Sequence, residues 1–272
     1  MDTFHILNFN QIFSECASCL SQRLGIDIIG DFKPGPGHTY ILFGAHEQAT
    51  ALNSIQLSNF NFKYIIINTE PPQSNHLRNK YYIQLMKNNI VADYNPISTI
   101  YLKSLGIKVF CQYNFEFFSS PSDLERDIDI LFVGTKSDRR EATYNRLKER
   151  YPNKKIEFHF DWKHTDPNKL TELLYRAKTV LNISYYDSNI LETHRINKAL
   201  SCGCKVVSLY SGHKATDAFY SRYIYMVHDL FEYFDGDEPL EKKLDYADLV
   251  QNDISKCALH LHWILEQLIK QY

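Results

Sequence analysis

The sequence predicts an α/β protein built from two doubly wound parallel-sheet domains. Three observations carry this. Short apolar runs alternate with helical patterns along the chain, the regular sign of parallel strands covered by helices on both faces. The alternation is interrupted once, in the stretch "NFEFFSSPSDLERD", where Ser119, Ser120, Pro121 and Ser122 read as a linker. With 272 residues, 44% hydrophobic and 23% charged, the chain is long enough for two such units, each with its own core.

In the first half, "YILFGAH" (40–46) and "KYIIINTEPP" (63–72) read as buried strands that feed loops. A helical pattern covers about 77–88, "IVADY" is a strand, and "ISTIYLKSLG" is a helix that ends at Gly106, a natural helix terminator. "IKVFCQY" is the next strand. After the break, "IDILFVG" (128–134) is a strand and "DRREATYNRLKERY" (138–151) a helix. "KIEFHF" is a strand, "DPNKLTELLYRAK" a helix capped by Asp166, and "TVLNIS" a strand. "ILETHRINKALSCGCKVVSLYSG" (190–212) supplies a further helix and strand, with Ser188 or Asn189 as the expected cap. A long amphipathic helix over about 246–269 closes the chain. The division predicted is 1–120 and 121–272, with ligands beyond the carboxyl ends of the strands and in a cleft between the halves.

Bulk properties narrow the function. Lys plus Arg number 30 and Asp plus Glu 32, a balance unlike that of a dedicated nucleic-acid binder, so no nucleic-acid partner is expected. No apolar run approaches the ~20 residues that span a bilayer, and "MDTFHILNFN" lacks the basic start and long apolar stretch of a secretion signal. A soluble cytoplasmic protein is expected. The abundance of Asn, Ile, Lys and Tyr suggests an AT-rich genome such as that of a large DNA virus, which would make the location the host cytoplasm. The six cysteines show no disulfide or zinc spacing and read as buried thiols. The 19 Tyr and 17 Phe suit stacking surfaces as well as a core.

Two stretches carry chemistry. In "VGTKSDRRE", Gly134 ends a strand and allows close backbone approach, the helix start offers free amides, and Thr135, Lys136, Ser137 and Arg139 add donors suited to phosphate. The glycine spacings of the P-loop and of the dinucleotide fingerprint are absent. In the stretch that follows Ser184, Glu192 and Arg195 neighbour each other on one helix face and Lys198 continues the line. A carboxylate there suits sugar hydroxyls, and a cation beside it suits a diphosphate. Equally, the same spacing fits a solvated surface pair.

The segment "NISYYDSNILETHRINKALSCGCKVVS" resembles the donor half of glycosyltransferases of the GT-B architecture, two Rossmann-like domains facing a cleft. It is nearest to bacterial and large-virus members with E-x-x-R-x-N before the glycine, a pattern filled here by Glu192, Arg195, Asn197 and Gly203. "DIDILFVGTKSDRREATYNRLKERYP" resembles the first strand and helix of that half, and "IVADYNPISTIYLKSLGIKVF" the end of the acceptor half. The resemblance implies transfer of a sugar from a nucleotide-sugar that serves as substrate, with no cofactor and no metal. The nucleotide would lie below Ser184, Tyr185 and Tyr186, the diphosphate near Gly134, Thr135, Lys136, Arg139 and the helix bearing Glu192, Arg195, Asn197 and Lys198, and the base beside Phe160 or Trp162. Many retaining members carry two glutamates at a fixed spacing before the glycine, and Ile190 and Lys198 stand at those positions here. Their absence favours inversion. An inverting transfer needs a base from the first half, for which His46, Glu70 and Asp93, all at carboxyl ends of strands, are the candidates. A sugar-nucleotide epimerase or hydrolase of similar build, and a non-catalytic glycan- or protein-binding module, are the alternatives.

Overall fold

A computed structural model describes residues 3–32, 37–58, 63–119, 122–160, 167–236 and 243–270. The chain forms two compact units: Met1–Phe117 with Val250–Tyr272, and Phe118–Leu249. The fold is α/β, with a six-stranded and a five-stranded sheet whose neighbouring strands run parallel.

The first unit contains β1 (Thr3–Asn8), α1 (Ser14–Leu24), β2 (Asp27–Ile28), β3 (His38–Phe43), α2 (Ala49–Ser58), β4 (Lys63–Asn68), α3 (Lys80–Lys87), β5 (Ile90–Asp93), α4 (Pro96–Ser104) and β6 (Val109–Gln112). Its strand order is β2-β1-β3-β4-β5-β6. The central strands β3 and β4 carry the continuous apolar runs YILF and YIII because both faces of the sheet are covered. On one face Leu7, Tyr40, Leu42, Tyr64, Ile66 and Val91 pack with Leu52 of α2, Tyr82, Leu85 and Met86 of α3, and Leu102 of α4. Alternate strand residues, among them Ile6, Ile41 and Ile65, are buried toward the other face. Asn95 caps α4 by accepting from Ile97 N at 2.8 Å, with Pro96 in the first turn. Gly106 just beyond α4 is left-handed, φ 78°, as a helix terminator requires.

The second unit contains β7 (Ile128–Val133), α5 (Asp138–Arg150), β8 (Ile156–His159), α6 (Pro167–Arg176), β9 (Ala177–Asn182), α7 (Thr193–Ser201), β10 (Lys205–Leu209), α8 (Lys214–Tyr220), β11 (Tyr225–Val227), α9 (Leu230–Asp235) and α10 (Tyr246–Leu249). The order β11-β10-β9-β7-β8 is a doubly wound one. The chain runs outward from β7 to β8 and then returns past β7 to β9, so right-handed crossovers put α5 on one face and α6 and α7 on the other. The core agrees: Ile130 and Phe132 pack with Tyr144 and Leu147 of α5 and Leu230 and Phe231 of α9.

The closing helix departs from the expected division. A π-helical turn, Val250–Ile254, follows α10 and leads into α11 (Ser255–Lys270). By its contacts α11 belongs to the first unit, beside α1 and β6, rather than to the second. Its inward stripe is Ala258, Leu261, Ile264 and Leu265, all buried. No described helix is long and apolar enough to cross a membrane. All six cysteines are free, five of them buried and Cys257 half-buried.

Candidate functional site

In the second unit the connections leave β7 and β9 toward opposite faces of the sheet, which opens a crevice at the carboxyl ends of these two neighbours. Ser137 caps α5, accepting from Arg140 N at 3.4 Å, and this puts Arg140 in the first turn on the inward side. Glu192 precedes α7 as its cap residue without making a side-chain cap bond, which leaves its carboxylate for other partners. The expected caps, Ser188 and Asn189, lie earlier in the loop, so the helix starts later than its sequence predicts.

Arg140 and Arg195 share that carboxylate. Arg140 Nη2 is 2.7 Å from Glu192 Oε1 and Arg195 Nη2 is 2.6 Å from Glu192 Oε2. Tyr185 N donates to Oε1 at 3.3 Å. Arg195 Nε donates to Val133 O at 2.9 Å and its Nη1 to Asn182 Oδ1 at 3.3 Å. Arg140 donates from Nε and Nη2 to Ile183 O at 3.0 and 2.6 Å, and from Nη1 to Thr135 O at 2.8 Å. Both guanidinium carbons lie over the Phe132 ring, at 4.9 and 5.0 Å from its centroid. Two guanidiniums and one carboxylate thus leave an excess of positive charge at the strand ends.

Gly134 sits in the middle of this arrangement. A Cβ there would come within 2.8 Å of Arg195 Nη2 and 2.9 Å of Phe132 Cζ, so the close approach requires glycine. Arg140 is 1% exposed. Burial pushes its guanidinium down to about 10, Arg195 adds to the shift and Glu192 opposes it, so it stays charged at neutral pH. A cavity of about 110 Å³ lies beside the cluster, lined by Val133, Leu174 and Val180 with Glu192, Arg195 and Lys198.

The other expected residues divide into three groups. Tyr185 is exposed, Ser184 Oγ donates to Ser188 O at 2.7 Å, and Arg139 of α5 donates to Tyr186 O at 3.3 Å and Asn189 Oδ1 at 2.6 Å, so these contacts hold the loop that follows β9. Three residues face elsewhere. Lys136 makes an exposed ion pair with Glu141 at 2.8 Å, Asn197 is buried and accepts from Tyr220 OH at 3.3 Å, and Phe160 packs among Phe132, Tyr144 and Phe158. Trp162 and the cap Asp166 lie outside the described residues. Sequence reading misses Arg140, although Arg140, Tyr144 and Leu147 follow the inward stripe of α5.

In the first unit, β3, β4 and β5 are neighbours, and His46, Glu70 and Asp93 follow or end them in turn. His46 Nε2 is 3.5 Å from Glu70 Oε1 and 3.6 Å from Glu47 Oε1. The His76 ring lies 4.4 Å from that of His46. Glu70 also accepts from Ser74 Oγ. Asp93 lies deeper, wholly buried, and accepts from Asn68 Nδ2 at 2.6 Å and from Asn95 N at 2.8 Å. Burial pushes its carboxyl up to about 7 against the pull of these donors. Tyr82 OH completes the network by donating to Asn68 Oδ1 at 2.9 Å, and burial followed by the charges of Glu70 and Asp93 raises its phenol well above the ordinary value. His46 and Glu70 therefore present a polar pair at the strand ends, with Asp93 in the buried network of Asn68 and Tyr82.

No family model and no curated protein matches this sequence. Among solved structures the chain is similar to Anabaena Alr3699/HepE in complex with UDP, at 11% identity over 97% of this chain and 95% of that one, TM-score 0.48. It is similar to TarM at 10% identity over 94% of this chain and 57% of that one, TM-score 0.49. A third similarity is to the N-terminal domain of Candida albicans trehalose-6-phosphate phosphatase, at 9% identity over 92% and 69% of the two chains, TM-score 0.44. At these values the chemistry rests on the chain's own residues.

Proposed function

We propose that the chain is a glycosyltransferase of the GT-B type that moves a hexosyl or pentosyl group from a nucleotide-sugar, a UDP-sugar before a GDP-sugar, to a hydroxyl of a glycan or other acceptor. The carrying observation is the pair of guanidiniums around Glu192 at the switch-point crevice of the second unit, where doubly wound sheets bind ligands. The resemblance of the same segment to a GT-B donor half supports the reading.

In this proposal Arg195 faces the diphosphate and stabilises the charge it gains as leaving group, so the transfer proceeds without a bridging metal. The acceptor oxygen attacks the anomeric carbon, the bond to the diphosphate breaks, and its electron pair leaves with the diphosphate. The acceptor proton goes to a base, for which His46 paired with Glu70 is proposed. Ile190 and Lys198, where retaining relatives carry glutamates, favour inversion.

Isothermal titration with UDP, GDP and their sugars tests the donor assignment. Binding of one nucleoside diphosphate, weakened roughly ten- to hundred-fold by Arg195→Ala, is expected for loss of a charge-assisted contact. Absence of binding to every nucleotide tried would sink the proposal. Free sugar or an epimer released without an acceptor would favour the hydrolase or epimerase alternative.

A further inference from the structure

The two arginines at the crevice do different work. A guanidinium has five N–H donors. Arg140 directs four of its bonds inward, two to Ile183 O, one to Thr135 O and one to Glu192 Oε1. Arg195 directs three, to Val133 O, Asn182 Oδ1 and Glu192 Oε2. The Arg140 side chain is 2% exposed, that of Arg195 16% and that of Glu192 30%. Arg140 is therefore sealed and nearly saturated, whereas Arg195, partly exposed, has two N–H groups to spare among the described residues.

We propose that Arg140 is a positioning residue, one that does not touch the ligand but fixes the Glu192 carboxylate and through it aims the Arg195 guanidinium. The contacts form a chain. Arg140 ties the turn after β7, at Thr135, to the turn after β9, at Ile183. The same guanidinium holds Glu192 Oε1, leaving Oε2 to Arg195. Without Arg140, Oε1 retains, among the described residues, only the Tyr185 N–H, and the carboxylate is free to turn away from Arg195.

The energetics argue against a purely architectural role. A buried guanidinium is expensive to desolvate, and well-packed apolar residues at such a position generally stabilise a fold at least as well. Here the cost is increased by a second guanidinium over the same aromatic ring. The return is geometric: an Arg195 held by three anchors with donors to spare, preorganised for an anion. The identity of that anion, a nucleoside diphosphate, rests on the function proposed above, whereas the positioning concerns only atoms of this chain.

The test uses the full chain labelled with 15N and follows the Arg195 Nε–H resonance, assigned with Arg195→Lys, while titrating UDP and GDP. In the native protein this proton is expected to exchange slowly, since it is bonded to Val133 O. In Arg140→Lys, whose single ammonium cannot span Ile183 O, Thr135 O and Glu192 Oε1 together, the resonance should shift and exchange rapidly in a protein that circular dichroism shows to be folded. Glu192→Gln, at a more exposed position, should produce the same change and guards against a misfolded first variant. Nucleotide affinity should fall roughly ten- to hundred-fold in both. A folded Arg140→Lys with an unchanged Arg195 resonance overturns the positioning role whether or not nucleotides bind. A collapsed resonance in a protein whose native form binds no nucleotide upholds the positioning and overturns the donor reading instead.

Discussion

At the scale of single residues, two positions make distinct predictions. The Asp93 carboxyl is pushed up to about 7 by burial, whereas an unfolded aspartate titrates near ~3.9. Between these values the folded protein retains a proton that the unfolded chain has released. Stability should therefore fall as pH rises from about 4 to about 7 and level off above it. Asp93→Asn removes this slope, even though it disturbs the bond from Asn68. Urea midpoints measured at intervals across that range check it, and a variant with the native slope would assign the pH dependence to another group. Gly134→Ala adds a methyl group within 2.8 Å of Arg195 Nη2 and 2.9 Å of Phe132 Cζ. Overpacking of this kind should cost roughly 1–3 kcal/mol and displace Arg195. An unchanged urea midpoint would show that the crevice yields more easily than its packing implies. Glu192 and Arg195 are legible as neighbours from their spacing, but their shared partner is not. Arg140 stands 52 residues before Glu192, and no local pattern announces a contact at that separation.

At the scale of elements, periodicity identifies the strands and helices whose apolar runs are unbroken. It misses β1, whose sequence "TFHILN" mixes polar residues into an interior strand between β2 and β3. It also misses α1, whose inward residues Cys16, Ala17, Cys19 and Leu20 are small or thiol-bearing apart from the leucine. The closing helix shows a further limit: its stripe at helical spacing reveals a buried face but not the surface that buries it. Because α11 packs with the first unit, Leu261→Ala should act there. A buried leucine truncation costs about 2–5 kcal/mol. Hydrogen exchange should quicken in β1, β3 and β6 while β7 and β9 keep their protection. Quickening confined to the second unit would contradict this placement of the helix.

At the scale of the whole molecule, each sheet is doubly wound, and both carry polar groups at the carboxyl ends of neighbouring strands. Alternation of strands and helices makes this architecture legible in the sequence. The ends of the apolar runs likewise mark His46, Glu70 and Asp93, and Gly134 and Ser184. Composition carries less. A net charge of −2 says nothing of two guanidiniums gathered around one carboxylate, because a global sum erases local imbalance. Side-chain direction is also beyond the sequence: Asn197 and Lys198 are adjacent, yet one meets α8 and the other lines the cavity. The discontinuity of the first unit bears on how the chain is made. A ribosome releases Phe118–Leu249 as one uninterrupted length, so the second unit can fold as soon as it emerges. The first unit, begun earlier, waits for α11 before α1 and β6 gain their cover, and the half that starts first finishes last.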